Sequence, residues 1–550
     1  MNTREEFFTS KQFKADPFAT TNALQEKYLE DCFIEPPYYM SLIGSVRSPR
    51  SSFVTAPRGT GKTAQRVMFE RFAEKENGIL AVVYDDFPLE TCTNIKMIRL
   101  EDHLIRIMKL LIISFLSEIN KRQFTVMLEP YEKKQLKHLI ELYLRGINSR
   151  EVNASIEKIK GLSGKLEDIW CKTGKSITSI INSILAKNDL GNINLEISRE
   201  NPKFNLEDIK SHFDFMEKLF HSVGISAVYI LVDSIDETSM TGNNAEKSYY
   251  LIRPFVLDIR FLERTTIVFK FFVWDKIKAY WANDFREDRI EHFEIEWSQE
   301  QIEQLLNERI KGYSNGKYKR LDDILNCDET TISYIFIFAN NSPRDAINIL
   351  KAIFDEHLKD NKNISEWPRK QAVILGIEQF CKSKFDELIV EDKQRKALRR
   401  IKIATFTIPY LYNDVFKCES STARNILMPW TQAGIVIPSN SKVKVKKSPH
   451  PINVYSFTDI RVARVVCSNE KLEEFIERNM CICPECRTIN VFDKANGYGI
   501  KHWQCKSCSC ELMESVSSNP ESGMSKTAKI VKTVKAKEVE GQMSLWDMMG

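Results

Sequence analysis

The sequence predicts an α/β protein whose central sheet is mostly parallel, with helical parts and a small metal-binding module attached to it. Three observations lead to this prediction. A glycine-rich loop joins an apolar run to a helical run at residues 56–63. Buried-strand patterns alternate with helical patterns through the first half of the chain, which is typical of parallel sheets covered by helices. Two cysteine pairs near the carboxyl terminus have a spacing typical of structural zinc.

The loop at residues 56–63, Ala-Pro-Arg-Gly-Thr-Gly-Lys-Thr, is a phosphate-binding loop with alanine in place of the first glycine. Residues 52–55 are predicted as a strand and residues 64–70 as a helix, the context that this motif requires. Lys62 would place its charge near the β- and γ-phosphates, and Thr63 would offer a hydroxyl to Mg²⁺. The predicted nucleotide ligands are Gly59, Thr60, Gly61, Lys62 and Thr63. The alternative is a glycine turn before a helix that carries a lysine by chance.

Further buried strands are predicted at residues 78–86, 227–233 and 265–273, where most residues are apolar. Residues 95–222 show helical spacing over a length too great for one crossover, so we expect a helical insertion. Asp233 ends a strand at the edge where open α/β sheets bind ligands, so it is the candidate acid for Mg²⁺. Asp236 or Glu237 could orient or deprotonate the attacking water. The alternative for these acids is a helix cap.

A family resemblance enters with the segment 231–237, Leu-Val-Asp-Ser-Ile-Asp-Glu. It resembles the acidic motif of STAND-type NTPases, and the chain over roughly residues 15–460 resembles AAA+ ATPases of the origin-recognition and transposition-regulator kind. The resemblance implies an α/β P-loop NTPase core that binds ATP and Mg²⁺. Typical AAA+ proteins place Glu directly after the metal acid, whereas this chain has Ser234, so the base stays open between Asp236 and Glu237.

The same resemblance assigns arginines to the phosphates. Segment 341–346, Asn-Ser-Pro-Arg-Asp-Ala, resembles the sensor-2 segment, which implies that Arg344 reaches the γ-phosphate from a helical lid. Arg286 and Arg289 lie where such proteins carry an arginine finger, and a finger supplied in trans would require a homo-oligomer. Acids surround both of these arginines, so a solvated charged face is the alternative. Trp274 and Asp275 close the sensor-1 strand.

Residues 420–457 resemble a winged helix, with a helix, a strand, a basic turn and a returning strand. Arg424 is a candidate on the recognition helix. The basic turn carries Lys442, Lys444, Lys446 and Lys447. These lysines could neutralise DNA phosphates. The alternative is a fold used only for packing, with the lysines as a solvated edge that blocks strand pairing.

Two CxxC pairs, Cys483 with Cys486 and Cys505 with Cys508, predict a tetrahedral Zn²⁺ site. Four thiolates leave no open position, so the metal would be structural. Cys481 and Cys510 lie two residues outside the pairs and are alternative ligands. Nearby cations make nucleic-acid binding possible without establishing it; they are Arg487, Lys494, Lys501 and His502.

The tail ends in residues 542–546, Gln-Met-Ser-Leu-Trp, beyond a lysine-bearing linker. This segment resembles the short motif by which bacterial replication and repair proteins dock on the sliding clamp. The implied clamp contacts are Gln542, Met543, Ser544, Leu545 and Trp546. The alternative is a short helix that docks on this protein or a sister subunit.

Composition sets limits on the compartment. The chain has 550 residues, with 43% hydrophobic and 28% charged, and a net charge of +4. No apolar run approaches the roughly 20 residues of a membrane helix, and residues 1–6 show no signal-peptide pattern. Six of 13 cysteines fall between Cys481 and Cys510, which indicates metal in a reducing cytosol. We therefore expect a cytoplasmic protein without membrane partners.

The predicted division is as follows: a helical lead-in at 1–50, the P-loop ATPase core at 51–297, a helical lid at 298–384, a winged-helix-like domain at 385–468, a zinc ribbon at 478–513 and a flexible tail at 514–550. The first functional interpretation is an oligomerising ATPase on DNA, in bacterial genome maintenance, mobile-element control or phage defence. The second is a STAND-like nucleotide-gated switch for a separate effector protein. A third is a loader or scaffold on the clamp.

Overall fold

The computed structural model describes residues 3–89, 93–121, 128–160, 177–187, 190–193, 195, 204–281, 283–359, 365–443, 450–494 and 503–512. Several residues of the sequence-based predictions lie outside these ranges. They are the clamp-like segment 542–546, the basic-turn lysines Lys444, Lys446 and Lys447, and the cations Lys501 and His502. The chain forms two compact units. The core unit is Thr20–Gly312, and the second unit is Met1–Ala19 together with Tyr313–Gly550. The chain thus begins in the second unit, passes through the core unit and returns.

The described elements follow in chain order. The strands are β1 Ser52–Ala56, β2 Ile79–Tyr84, β3 Ile159–Lys160, β4 Ala227–Val232, β5 Ile267–Trp274, β6 Glu291–Glu294, β7 Thr405–Thr407, β8 Val436–Val443, β9 Ile452–Phe457, β10 Met480–Ile482 and β11 Ile489–Val491. The α-helices are Arg4–Ser10, Leu29–Cys32, Tyr39–Ile43, Lys62–Lys75, Leu100–Lys121, Pro130–Tyr143, Ser149–Glu157, Ile177–Lys187, Leu206–Ser222, Ala245–Leu257, Ile259–Leu262, Lys278–Trp281, Gln299–Tyr313, Glu329–Ala339, Pro343–Leu358, Lys370–Leu388, Asp392–Leu398, Ile408–Tyr410, Ser420–Gln432, Ile460–Val466 and Leu472–Asn479.

The core unit is built on one sheet with the strand order β3-β2-β4-β5-β1-β6. Strands β2, β4, β5, β1 and β6 run parallel, and β3 pairs antiparallel with the β2 edge. β4 is buried along its whole length, because its sequence Ala-Val-Tyr-Ile-Leu-Val offers an apolar side chain to both faces. This parallel sheet, with helices packed against it, confirms the predicted α/β P-loop fold. The strands predicted at residues 52–55, 78–86, 227–233 and 265–273 are all present, as β1, β2, β4 and β5.

Alternate residues of each strand face different helices. Phe53, Val82 and Ile230 belong to a large core cluster that includes the insertion helices Leu100–Lys121 and Leu206–Ser222. Their strand neighbours, such as Val54 and Ala81, belong to a second cluster with Phe69 of the phosphate-loop helix. The helical insertion therefore covers one face of the sheet, and the phosphate-loop helix covers the other.

The second unit contains a helical part to which the amino-terminal residues belong. Phe7 and Phe8 lie 5.8 and 4.7 Å from the Phe354 ring, centroid to centroid. Helices Pro343–Leu358 and Lys370–Leu388 approach so closely at Gly376 that a Cβ there would lie 2.5 Å from the Ile353 Cα. Only glycine fits this crossing without displacement.

The rest of the second unit contains two small sheets. A three-stranded antiparallel sheet has the order β7-β9-β8, and Ser420–Gln432 leads into β8 through Gly434 at φ 68°. The helix and two strands expected between residues 420 and 457 are therefore present, and β7 adds a third. The cysteine-rich segment carries the hairpin β10-β11. Among the helices of the described ranges, none is both long and apolar enough to cross a membrane.

Candidate nucleotide site and metal centre

The loop from β1 to helix Lys62–Lys75 has the backbone shape that its glycines permit. Gly59 and Gly61 adopt φ 80° and 96°, in the left-handed region that favours glycine. The Lys62 Nζ donates hydrogen bonds to the carbonyl oxygens of Ala56 and Pro57, each at 3.1 Å. The indole of Trp297 donates to the Thr60 carbonyl oxygen at 2.8 Å. No sequence pattern predicts the contact between Trp297 and the loop, because Trp297 lies 237 residues beyond Thr60 in the chain.

Three aspartates follow β4 and β5 at the carboxyl edge of the sheet, where the phosphate loop follows β1. The parallel register aligns Ala56 of β1 with Trp274 of β5, so the residues that follow these strands lie on one side. Burial lowers the pKa of Lys62, while Asp236, Asp233 and Asp275 act in the opposite direction. The Oδ1 atom of Asp275 is buried and, within the described part of the chain, has no hydrogen-bond partner. Lys62 and these three aspartates thus lie at the same edge of the sheet.

Asp233 is held from two sides. Its Oδ1 accepts the backbone N–H of Ser234 at 2.9 Å, and its Oδ2 accepts Nε of Arg66 at 2.8 Å. Arg66 also pairs with Glu70 one helical turn further on. All three charged residues are at most 7% exposed. The four-residue spacing of Arg66 and Glu70 on a helix signals an ion pair, but the sequence does not reveal that it faces Asp233.

Asp236 and Glu237 differ in environment although they are adjacent. Both lie in the 3₁₀ turn Ile235–Glu237, which follows Ser234 at φ 61°. Asp236 is buried, and its Oδ2 accepts Nε and Nη2 of Arg58 at 2.8 and 2.6 Å. The Arg58 guanidinium lies 4.5 Å from the Trp274 ring centroid. Glu237 is exposed. The structure thus groups Asp236, and not Glu237, with a cation of the phosphate loop.

The three arginines predicted to reach phosphates, Arg286, Arg289 and Arg344, have different surroundings. Arg289 makes a two-pronged pair with Glu263 at 2.8 and 2.6 Å, and Arg286 makes one with Asp288 at 2.9 Å for both bonds. Arg344 lies exposed in the first turn of Pro343–Leu358, in the second unit. The pairs of Arg286 and Arg289 agree with the charged surface that was their alternative interpretation.

The four predicted zinc ligands converge. The sulfur atoms of Cys483, Cys486, Cys505 and Cys508 all lie within 4.8 Å of one another. The Sγ atoms of Cys483 and Cys508 are 3.5 Å apart, as are those of Cys486 and Cys505. A tetrahedral Zn²⁺ with bonds of ~2.3 Å needs sulfur atoms roughly 3.8 Å apart. The residues present therefore fit the metal, and the cluster contains neither Cys481 nor Cys510.

Both cysteine pairs have the same local geometry. Arg487 follows Cys486 at φ 58°, and Ser509 follows Cys508 at φ 61°, so each pair ends in a left-handed residue. Burial raises the pKa of Cys505, but hydrogen bonds from the backbone N–H groups of Cys508 and Ser507 and from the side chains of Asn490 and Cys486 together lower that pKa to about 6. A thiolate is the form that binds zinc, so this environment suits a ligand.

The cysteine module packs on the three-stranded sheet. Val443 and Val454 of β8 and β9 form an apolar cluster with Phe492 and Trp503, whose rings stack at 4.7 Å. The backbone N–H of Asp493 donates to the Thr405 hydroxyl at 2.7 Å. These contacts attach the metal centre to the sheet of the second unit.

Helix Ser420–Gln432 has a buried and an open side. Ala423, Leu427 and Trp430 are buried, whereas Arg424 and Asn425 are exposed. Lys442 of β8 is exposed as well. Within the second unit, the side of this helix that carries Arg424 is therefore accessible to a binding partner.

Comparisons with known proteins add little. Neither a family model nor a curated protein matches this chain. Among solved structures, the crystal structure of Cdc6p from Pyrobaculum aerophilum aligns with 82% of this chain and 98% of its own, at 10% identity and a TM-score of 0.29. At that TM-score the alignment supports no inference about this chain. The fold assignment rests instead on the parallel sheet and the loop geometry.

Proposed function

We propose that this protein is an oligomerising ATPase of the AAA+ kind that binds ATP with Mg²⁺, hydrolyses it and acts on or near DNA. The observation that supports this most is that Asp233 and Asp236 are hydrogen-bonded to arginines of the phosphate loop and its helix, beside Lys62 and a loop shaped by left-handed glycines. Backbone N–H groups of residues 59–63 would surround the phosphates, and Lys62 would neutralise them. Mg²⁺, when bound, would screen the phosphate charge, held by Thr63 and Asp233.

Asp236 is the better candidate for the general base. It is buried beside the loop, whereas Glu237 points its charge into solvent. The buried Oδ1 of Asp275 lies ready to accept a hydrogen bond from a bound water or ligand. Arg344 would sense the γ-phosphate from the lid. Arg289 would serve as an arginine finger in a neighbouring subunit if it exchanged Glu263 for phosphate.

The DNA contact would lie on the second unit. The three-stranded sheet with helix Ser420–Gln432 would serve as a winged helix, with Arg424 on its open side and Lys442 at the wing. Zn²⁺ on the four cysteines would stabilise the adjoining ribbon. The segment 542–546 would dock on a bacterial sliding clamp. A cytoplasmic role in genome maintenance, mobile-element control or phage defence fits these parts.

A second candidate is a STAND-like switch that controls a separate effector protein. Two of the three acids of the acidic motif are paired with arginines, Asp233 with Arg66 and Asp236 with Arg58. Such pairing favours slow turnover, because each acid must be released before it can act. A tightly retained nucleotide and hydrolysis indifferent to DNA would favour this candidate.

The deciding experiment measures ATP hydrolysis with and without DNA, and molecular mass with ADP or ATP. We expect hydrolysis that DNA stimulates, a larger mass with ATP, and loss of both in Lys62→Ala. Arg50→Ala is the control, because Arg50 is exposed and its Nη1 lies 3.8 Å from Glu291. Absence of nucleotide binding in the unmodified protein would refute both candidates. Deletion of residues 542–550 with unchanged clamp association would refute the docking segment alone.

A further inference from the structure

Arg58 occupies an unusual position within the phosphate loop. It follows Pro57 and precedes Gly59, so its backbone belongs to the segment that would surround a phosphate. Two of its nitrogen atoms donate to the same Asp236 oxygen, at 2.8 and 2.6 Å. The Arg58 side chain is 36% exposed, whereas Asp236 is 7% exposed. The cation of this pair is therefore partly accessible, and the anion is not.

Trp274 supports the guanidinium of Arg58 independently of its anion. The ring centroid lies 4.5 Å from the Arg58 Cζ, a distance at which a planar cation is attracted to an indole face. This contact does not depend on which acceptor the N–H groups find. Arg58 can thus exchange one hydrogen-bond acceptor for another while its guanidinium stays on the Trp274 ring.

The chemistry of the two acceptors is similar. A guanidinium presents a rigid fork of donors that matches a carboxylate or a phosphate equally well. Arg58 belongs to the phosphate loop itself, and its hydrogen bonds to Asp236 hold that carboxylate beside the loop that would surround a terminal phosphate. An incoming γ-phosphate would bring at least two negative charges close to this cation.

We propose that Arg58 is a catalytic residue that exchanges Asp236 for the γ-phosphate when ATP binds. The exchange has two effects at once. It places a cation on the phosphoryl oxygens in cis, and it frees the Asp236 carboxylate to act as a base. With ADP, which has no γ-phosphate, Arg58 stays on Asp236. This inference rests on the proposed ATPase function and adds a gate to it.

The step balances without a further reactant. The oxygen of a water molecule forms a bond to the γ-phosphorus, and the bond from that phosphorus to the bridging oxygen of ADP breaks. The Asp236 carboxylate accepts a proton of the water and returns it to solvent or to the released phosphate. Arg58 stabilises the charge on the γ-phosphoryl oxygens throughout.

The test compares Arg58→Ala, Arg58→Lys and the control Arg50→Ala in the full chain. Binding of Mg²⁺ complexes of ADP and of a non-hydrolysable ATP analogue is measured by calorimetry, and hydrolysis by phosphate release. We expect Arg58→Ala to weaken analogue binding about tenfold or more and ADP binding less than about threefold. Its kcat should fall by about 10²–10³-fold. Arg58→Lys should be intermediate, since it keeps the charge but loses the fork.

Retained ADP binding shows that a variant is folded. Equal weakening of ADP and the analogue, or an unchanged or raised kcat, would overturn the role of Arg58 and leave the ATPase proposal standing. An unmodified protein that binds neither nucleotide would overturn both.

A double-mutant cycle tests the exchange itself. Arg58→Ala, Asp236→Asn and the double variant are compared in thermal unfolding with and without the analogue. We expect the two substitutions to be coupled in the free protein and additive in the complex. Coupling that persists in the complex would show that Arg58 never leaves Asp236.

Discussion

At the scale of single residues, the acidic motif is controlled by arginines from the phosphate loop and its helix. Arg66 and Arg58 differ in burial, since their side chains are 6% and 36% exposed. A buried arginine between two acids is part of the fold, because its removal leaves charge in a medium that solvates it poorly. An accessible arginine is free to serve a ligand. The two pairs therefore have different consequences when they are broken.

Arg66→Ala should destabilise the protein strongly. Asp233 and Glu70 would each lose a cationic partner in the interior, at a cost of about 3–5 kcal/mol in the free energy of unfolding. Arg71→Ala is the matched control on the same helix, because Arg71 pairs with the partly exposed Glu30 at 3.3 Å. That pair should contribute about 1 kcal/mol or less. Urea denaturation measures both, and equal losses would contradict the assignment.

Asp236→Asn and Glu237→Gln should separate the two candidate bases. We expect Asp236→Asn to lower kcat by about 10²–10⁴-fold with ATP still bound, because the amide cannot accept the proton of the water. Glu237→Gln should change kcat little, since this side chain is exposed. Single-turnover hydrolysis and ATP titration provide the measurement. The reverse ranking would move the base to Glu237.

At the scale of elements, β5 places the ionisable amine of Lys270 in the interior of the sheet. Lys270 is 1% exposed between apolar neighbours, and burial lowers its pKa to about 7, with Glu291 opposing. In the unfolded chain the group titrates near 10.4. Between these two values the unfolded state binds more protons than the folded state, so the free energy of unfolding rises with pH.

Lys270→Met should remove this pH dependence. The unmodified protein should gain stability from pH 7 to 9, with a contribution from Lys270 of at most about 1.4 kcal/mol per pH unit. The variant should be more stable at pH 7 and show a flatter profile. Urea denaturation across this pH range is the measurement. Parallel profiles for the two proteins would show that the buried amine does not titrate there.

The elements that the sequence predicted are those with a clear local signal. Largely apolar runs identified β2, β4 and β5, and the loop motif identified β1. β6 escaped because Glu-His-Phe-Glu lacks such a run, and β7 because three residues give too little periodicity. The zinc cysteines were predictable from spacing alone. The arginines on Asp233 and Asp236 were not, since their separations of 167 and 178 residues are set by the tertiary fold.

At the scale of the whole molecule, the metal centre should stabilise one unit and leave the other intact. We expect the protein to bind one Zn²⁺ and Cys508→Ser to lose it, because the Cys508 sulfur belongs to the cluster. Loss of zinc should expose the stacked Phe492 and Trp503, which tryptophan fluorescence detects. ATP binding should persist, since the phosphate loop belongs to the core unit.

Cys510→Ser is the matched control for this prediction. The Cys510 sulfur lies outside the cluster and donates to the Glu511 carbonyl oxygen at 3.6 Å. The variant should keep its zinc, as measured by metal analysis of the purified protein. If Cys510→Ser lost its zinc and Cys508→Ser kept it, Cys510 and not Cys508 would be the fourth ligand.

The order in which the ribosome delivers the chain follows from the path of the backbone. Phe7 and Phe8 leave the exit tunnel before the core unit, but their partner Phe354 is made only after the complete core unit. At about 5–20 residues per second, this interval of about 350 residues lasts on the order of 17–70 s. The nascent aromatic segment must wait that long for Phe354, which makes it a natural target for chaperones during synthesis.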